Sequence, residues 1–460
     1  MAAAPARLLR KRWLAPLVFF QVYLGITVWL FFYGPWPWSI ENGTQLFLFL
    51  AASQVAIAIG YAMSWRRVAR PPASAPKPDE AADFQAAMRF LKKVMWITAI
   101  LAIPSSLSRT GNVIPDVVAG LHDIGLAYNE NNDRLDAGNA WVAAEYLRIL
   151  FGPWLTALFP LTAFYWSRMS GAMRLVAIGL IGFNLSMYIA TGVNKGFADI
   201  VLTLPWLVFL SIATGMLRVK NFRLKAIAGT AVLFGAFFMY FTTGQTQREG
   251  SGTEYGTFFT GVVVLQADSN NFVSSLLPED LRVGYEALSR YVVHGYYALS
   301  MGFQTDTPST LGLGNSMFLA RDADALLGTN YFENQSIPGA LDRDFAWGKL
   351  ALWHSIYPWL ASDFGFPGTI LVMGFLGYLL GRAWGECLTR PRPESLLMLY
   401  LLIIVFFYIP ANNQVMQSGE GCSSLLICLV WFLRSRRHIA PLPEAAPAPL
   451  SMPGALPVVP

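Results

Sequence analysis

Glu286, Arg290 and His294 recur at every fourth position in the segment 281–302, and Tyr297 follows on nearly the same face if that segment is a helix. Such a helix aligns an acid, a guanidinium, an imidazole and a phenol, a set able to clamp an anion and move a proton beside it. The same spacing equally suits a surface helix with an ordinary Glu286–Arg290 ion pair. Arg248 and Glu249 stand directly after an apolar run. There a guanidinium can grip phosphate in bidentate fashion without losing its proton. Arg148 lies inside another apolar run, three residues after Glu145, and Lys195 occupies a short turn between Gly192 and Gly196. Both are cations set apart from the basic blocks of the chain, and Arg148 could equally be neutralised by Glu145 or reach toward headgroups. In 341–363, Asp342, Arg343, Asp344, Lys349, His354 and Asp363 are interleaved with Trp347, Trp353, Tyr357 and Trp359. Rings beside charges suit carbohydrate, and they also suit an aromatic belt at a membrane surface.

Other signals are weaker. Asp322 and Asp324 have the spacing of a metal-binding acidic pair without an evident third ligand, and His122 is an alternative base. Asn42-Gly43-Thr44 and Asn334-Gln335-Ser336 match the glycosylation acceptor pattern. Asp363-Phe364-Gly365 has neither the glycine loop nor the catalytic loop of a kinase around it. Cys387, Cys422 and Cys428 lie in or beside apolar runs, and neither a disulfide framework nor a zinc site is expected from them.

The elements that must position these residues are written in hydropathy. Of the 460 residues, 55% are hydrophobic and 13% charged, well outside the usage of soluble domains. Runs of spanning length lie near 14–33, 45–64, 91–107, 141–165, 175–192, 197–217, 226–243, 366–386, 395–410 and 420–433. The expected fold is therefore an all-α polytopic membrane protein of about ten spans. A net charge of +5 does not point to nucleic acid, because the basic residues sit in short blocks flanking apolar runs. Most of the 33 lysines and arginines fall on one side of such a bundle. With that side inward, every short inner connection is basic and both termini are cytoplasmic. The first run ends in Trp36 and Trp38 without a small-residue cleavage site, so an uncleaved first helix is expected. Residues 70–80 and the Pro/Ala-rich stretch 441–460 look like unstructured cytoplasmic segments. Outside lie 108–140 and a larger, partly helical region at 244–365, too long for a passive connection and the expected seat of the chemistry.

The order of parts resembles the bacterial oligosaccharide repeat-unit polymerases, the O-antigen polymerases of the Wzy type. The resemblance rests on ten-odd spans with a large late outer loop, on RYVVHGYYALSMG from Arg290 to Gly302, and on WHSIYPWLASDFGFPGTILVMGFLGYLLG from Trp353 to Gly381. It implies a GT-C-like glycosyltransferase in the bacterial inner membrane, extending polysaccharide for lipopolysaccharide or a related polymer. Its substrate would be undecaprenyl-diphosphate-linked oligosaccharide at the periplasmic face. A chain-length regulator and a flippase are the partners it admits; no cofactor and no metal are expected. On that reading Arg248, Arg290, Arg343, Arg148 and Lys195 are candidates to hold the diphosphate. His294, with Arg290 a turn away, leads the candidates for catalysis, followed by Glu249, His354 and Asp344. Tyr297, Trp353 and Tyr357 are candidates to hold glycan. O-antigen ligase is the nearest alternative, and a flippase or exporter of lipid-linked glycan is a different one. The scarcity of ionisable residues within the spans weighs against transport.

Overall fold

The computed structural model describes residues 6–69, 80–136, 138, 140–218, 222–249 and 256–435. The chain is helical almost throughout: α1 (Ala6–Trp13), α2 (Ala15–Tyr33), α3 (Gly43–Ala69), α4 (Glu80–Thr110), α5 (Val117–His122), α6 (Ile124–Asp136), α7 (Val142–Leu150), α8 (Gly152–Tyr165), α9 (Gly171–Ala190), α10 (Lys195–Ala213) and α11 (Phe222–Glu249) come first. A two-stranded antiparallel hairpin follows, β1 (Thr257–Phe259) against β2 (Val264–Gln266). The remainder is α12 (Glu279–Gly302), α13 (Met317–Leu327), α14 (Tyr331–Gln335), α15 (Ile337–Phe345), α16 (Ile356–Thr389), α17 (Pro393–Tyr408) and α18 (Gly419–Arg434).

Among the described residues, six helices are long and apolar enough to cross a membrane: α2, α3, α9, α10, α11 and α16. The pair α7 and α8, bent by 61°, makes a seventh if it is one span. The bend has a covalent cause, since Gly152-Pro153 follows α7 and proline supplies no N–H while disfavouring helix at the residue before it. The chain is thus an all-α, multi-pass membrane protein. Nine of the ten runs read in the sequence fall on one helix each and 141–165 on the bent pair, but three of the nine meet only part of the requirement. Helices α17 and α18 have 16 residues each, and α4 combines its apolar stretch with Arg89, Lys92 and Lys93.

Apolar surface faces outward in the manner lipid allows, with Leu175 and Val232 each 73% exposed. Helix α17, in contrast, is buried along its whole length and forms the centre of the bundle. The closest helix pair is α3 with α16. A Cβ on Gly377 would meet the Ile57 carbonyl oxygen at 2.3 Å, and one on Gly381 would meet Ser64 Oγ at 2.4 Å. Small residues at this spacing let backbones approach where lipid removes the hydrophobic driving force between helices.

The basic blocks meet at one end of the bundle. Arg12 donates to the Ala213 carbonyl at 2.7 Å, and Arg390 reaches Asp83 Oδ1 at 2.9 Å. The segment between α11 and α16 lies toward the other end, with α12 packed on α2, α3, α11 and α16 instead of standing clear of them. Tyr296 and Thr27 share a hydroxyl hydrogen bond of 3.0 Å at that contact.

Candidate functional site

A cavity of about 560 Å³ opens where the C-terminus of α4 meets the N-termini of α7, α10 and α18, at the end of the bundle opposite the basic blocks. Its roof is α6, which contributes Asn131 and Arg134. Gly192, with φ of +61°, turns the chain from α9 to α10 so tightly that a Cβ there would meet the Ile124 carbonyl oxygen at 2.4 Å. Ile124 N–H in turn donates to Gln247 Oε1 at 2.8 Å, which ties this roof to the end of α11. Helix α13, capped by Ser316 Oγ on Leu319 N–H, brings Arg321 to the same cavity.

Arg109, Arg134, Lys195 and Arg321 line the polar end, together with Glu145, Asp199 and Glu420. Glu420 Oε2 accepts from Arg109 Nη2 at 3.2 Å and also from Arg148, whose side chain is only 2% exposed. Arg148 Nε lies 3.7 Å from Glu145 Oε2. Arg109 further stacks over Tyr188, 5.3 Å from the ring centroid. Arg134 Nη1 donates to the Ser108 carbonyl at 3.0 Å, closing the C-terminus of α4. Lys195 Nζ donates to Asp199 Oδ2 at 2.6 Å, four residues along α10. Four lining cations, with Arg148 buried behind Glu420, thus face three carboxylates, leaving a net positive site beside the positive ends of α10 and α18.

Below this polar end the lining turns apolar, with Leu155, Phe159, Ile181, Leu185, Leu401 and Ile404. These residues come from the apolar stretches of α8, α9 and α17, so the cavity carries a charged mouth and an apolar interior in one volume.

Of the residues singled out in the sequence, Lys195 lines this cavity and Arg148 supports it from behind, paired with Glu420 and Glu145. The side chains of Arg248 and Glu249, at the end of α11, lie outside the described residues. His294, Arg290, Tyr297, Trp353 and His354 do form a group, but an aromatic packing cluster distinct from the cavity lining. His294 Nε2 accepts Trp353 N–H at 2.9 Å, so Nδ1 carries the proton and donates to the Arg290 carbonyl at 2.9 Å. Burial pushes the imidazole down to about 4, the Arg290 backbone partner opposing and its charge assisting. Both ring nitrogens are therefore committed, Nε2 to the chain that leads into α16 and Nδ1 to a carbonyl of its own helix α12. The Arg290 guanidinium lies over Phe258 and Trp36, 5.0 and 5.6 Å from their centroids, and donates to the Thr257 carbonyl.

Tyr297 packs on Trp38 and Trp347, Trp353 on Tyr291, and Tyr357 on Phe49. His354 is wholly buried beside Trp359. Arg343 and Asp344 pair with each other on the surface, at 2.7 and 2.9 Å, with roughly half of each side chain exposed. Asp324 uses its oxygens on Thr329, Phe332 N–H and Glu333 N–H, anchoring α14 to α13. Asp363 does the same for another loop, accepting from Thr310, Gly312, Gly314 and Asn315.

Arg109, Arg134, Asp199, Arg321 and Glu420 complete the cavity and were not legible as a set. The available signal was ionisable residues at the ends of apolar runs, a pattern also produced by ordinary interfacial residues. No family model, no characterised protein and no solved structure matches this chain.

Proposed function

We propose that the cavity holds the diphosphate head of a polyisoprenyl-linked oligosaccharide and that the protein is a membrane glycosyltransferase extending such glycans. The observation that carries this reading is the union of a cation-rich mouth with an apolar interior in one volume. An amphiphile with a phosphate head and a hydrocarbon tail satisfies both halves. A free sugar or a free anion satisfies only one. The diphosphate is a good leaving group, so departure requires stabilisation of developing negative charge. Preorganised cations in a site shielded from water do this strongly, and losing one such donor costs on the order of 10²- to 10³-fold in rate. In the same reading α4, α17 and α18 complete ten crossings of a bacterial inner membrane. The basic end faces the cytoplasm and the cavity the periplasm. The acceptor is a second lipid-linked repeat unit, as in the polymerases the sequence resembles.

The test is turnover in proteoliposomes carrying purified lipid-linked repeat units, with the unchanged chain beside Lys195→Met and Arg321→Ala. Lengthened glycans from the unchanged chain, lost or strongly reduced in both variants, are expected. Transfer only onto a lipid A core acceptor would make the enzyme a ligase. Glycolipid that crosses the bilayer with no bond changed would contradict the transferase reading.

A further inference from the structure

We propose that Asp199 is the group that accepts the proton of the attacking sugar hydroxyl; this rests on the glycosyl-transfer reading above. Three carboxylates line the cavity, and their surroundings differ. Glu420 is held by two guanidiniums, an arrangement that makes it a weak proton acceptor. Glu145 accepts from Ser108 and faces Arg148, with its side chain 36% exposed. Asp199 alone is both buried, at 7% exposure, and half-satisfied. Lys195 fixes Oδ2, while Oδ1 has no hydrogen-bond partner among the described residues.

An unsatisfied carboxylate oxygen sealed from water is costly, and a donor brought by the substrate relieves that cost. The donor chemistry that fits is a hydroxyl, since the cations of the site already attract the phosphate. Lys195 also fixes the orientation of the carboxylate, which leaves Oδ1 as the acceptor.

In the step assigned to it, the acceptor hydroxyl oxygen forms a bond to the anomeric carbon of the donor glycan. The bond from that carbon to the diphosphate oxygen breaks, and the lipid diphosphate leaves with the electron pair. The hydroxyl proton passes to Asp199 Oδ1 and is released to water once product departs. No oxidant or reductant enters.

The experiment compares the unchanged chain, Asp199→Asn and Asp199→Glu in proteoliposomes, measuring glycan transfer and, separately, binding of bare polyisoprenyl diphosphate. Asp199→Asn is expected to slow transfer roughly 10²- to 10⁴-fold. Its binding of the bare diphosphate should equal or exceed that of the unchanged chain, because Lys195 loses its counter-charge. Asp199→Glu, which restores a carboxylate, should recover part of the rate. Transfer by Asp199→Asn within about threefold of the unchanged chain would overturn the assignment and leave the transferase reading standing. Parallel loss of diphosphate binding and transfer in Asp199→Asn would also overturn it, marking Asp199 as a structural partner of Lys195. An unchanged chain that neither binds the diphosphate lipid nor transfers glycan would overturn the transferase reading itself.

Discussion

Glu420, at the start of α18, and Arg148, on α7, form an ion pair across 272 residues of sequence, and the Arg148 side chain is only 2% exposed. The pair joins two helices at the charged mouth of the cavity. It also explains how an arginine inside an apolar run is tolerated, since a buried charge persists where it is paired and hydrogen-bonded.

Removing one member should be worse than removing both. Glu420→Gln leaves the buried Arg148 with only the longer contact to Glu145, at 3.7 Å, so the loss should approach but not reach the roughly 3 to 5 kcal/mol of a buried pair broken outright. Thermal stability in detergent should fall, and the double variant Glu420→Gln with Arg148→Met should recover part of it. Strict additivity of the two single effects would mean that the pair is not coupled.

Lys195→Met should weaken polyisoprenyl diphosphate binding by roughly 10- to 100-fold, the scale of a lost charge-assisted hydrogen bond. Equilibrium binding of the labelled lipid checks this. Retention of full affinity would remove Lys195 from the phosphate site.

His294 should act on stability before it acts on turnover. Its ordinary value of 6.5 is lowered to about 4 by burial. The unfolded chain therefore takes up a proton that the folded chain refuses. Stability is complete above about 6.5 and is lost as the pH falls toward 4, by up to about 1.4 kcal/mol per unit. His354, lowered to about 3 by burial and by its neighbour His294, adds in the same direction. Thermal midpoints should drop on acidification, with a shallower slope in His294→Gln; a flat profile in the unchanged chain would contradict the buried neutral imidazole.

Asp363 should matter to the order of the loop it holds. Its carboxylate accepts Gly312 N–H at 2.8 Å, Asn315 N–H at 2.9 Å and Asn315 Nδ2 at 2.7 Å. Asp363→Ala removes these charge-assisted hydrogen bonds, at a cost of about 1 to 3 kcal/mol. Limited proteolysis should then cut near residues 309–315 faster than in the unchanged chain.

Hydropathy made the helical bundle legible because lipid demands apolar runs of fixed length, and each run left its own mark at one place in the chain. The site is different in kind. Arg109 meets Glu420 across 311 residues, and nothing local to either residue announces the other. Arg148 and Lys195 were visible because a cation within or between apolar runs departs from the basic-block pattern. Arg109, at the end of α4, and Arg321, on the short helix α13, stand where ordinary interfacial and loop residues also stand. The fourfold spacing of Glu286, Arg290 and His294 lies on a genuine helix, α12. Spacing gives a shared face but not what that face meets, and here it meets Trp36, Phe258, Trp347 and Trp353.

The most direct test of the cavity as the lipid diphosphate site is photolabelling with a short-chain polyisoprenyl diphosphate that carries a diazirine in its isoprenyl chain. Label is expected on peptides of α8 and α9 containing Phe159, Ile181 and Leu185, competed away by unlabelled polyisoprenyl diphosphate. Label confined to the lipid-facing surface of α11, or to the cluster around His294 and Trp353, and indifferent to competitor would contradict the account.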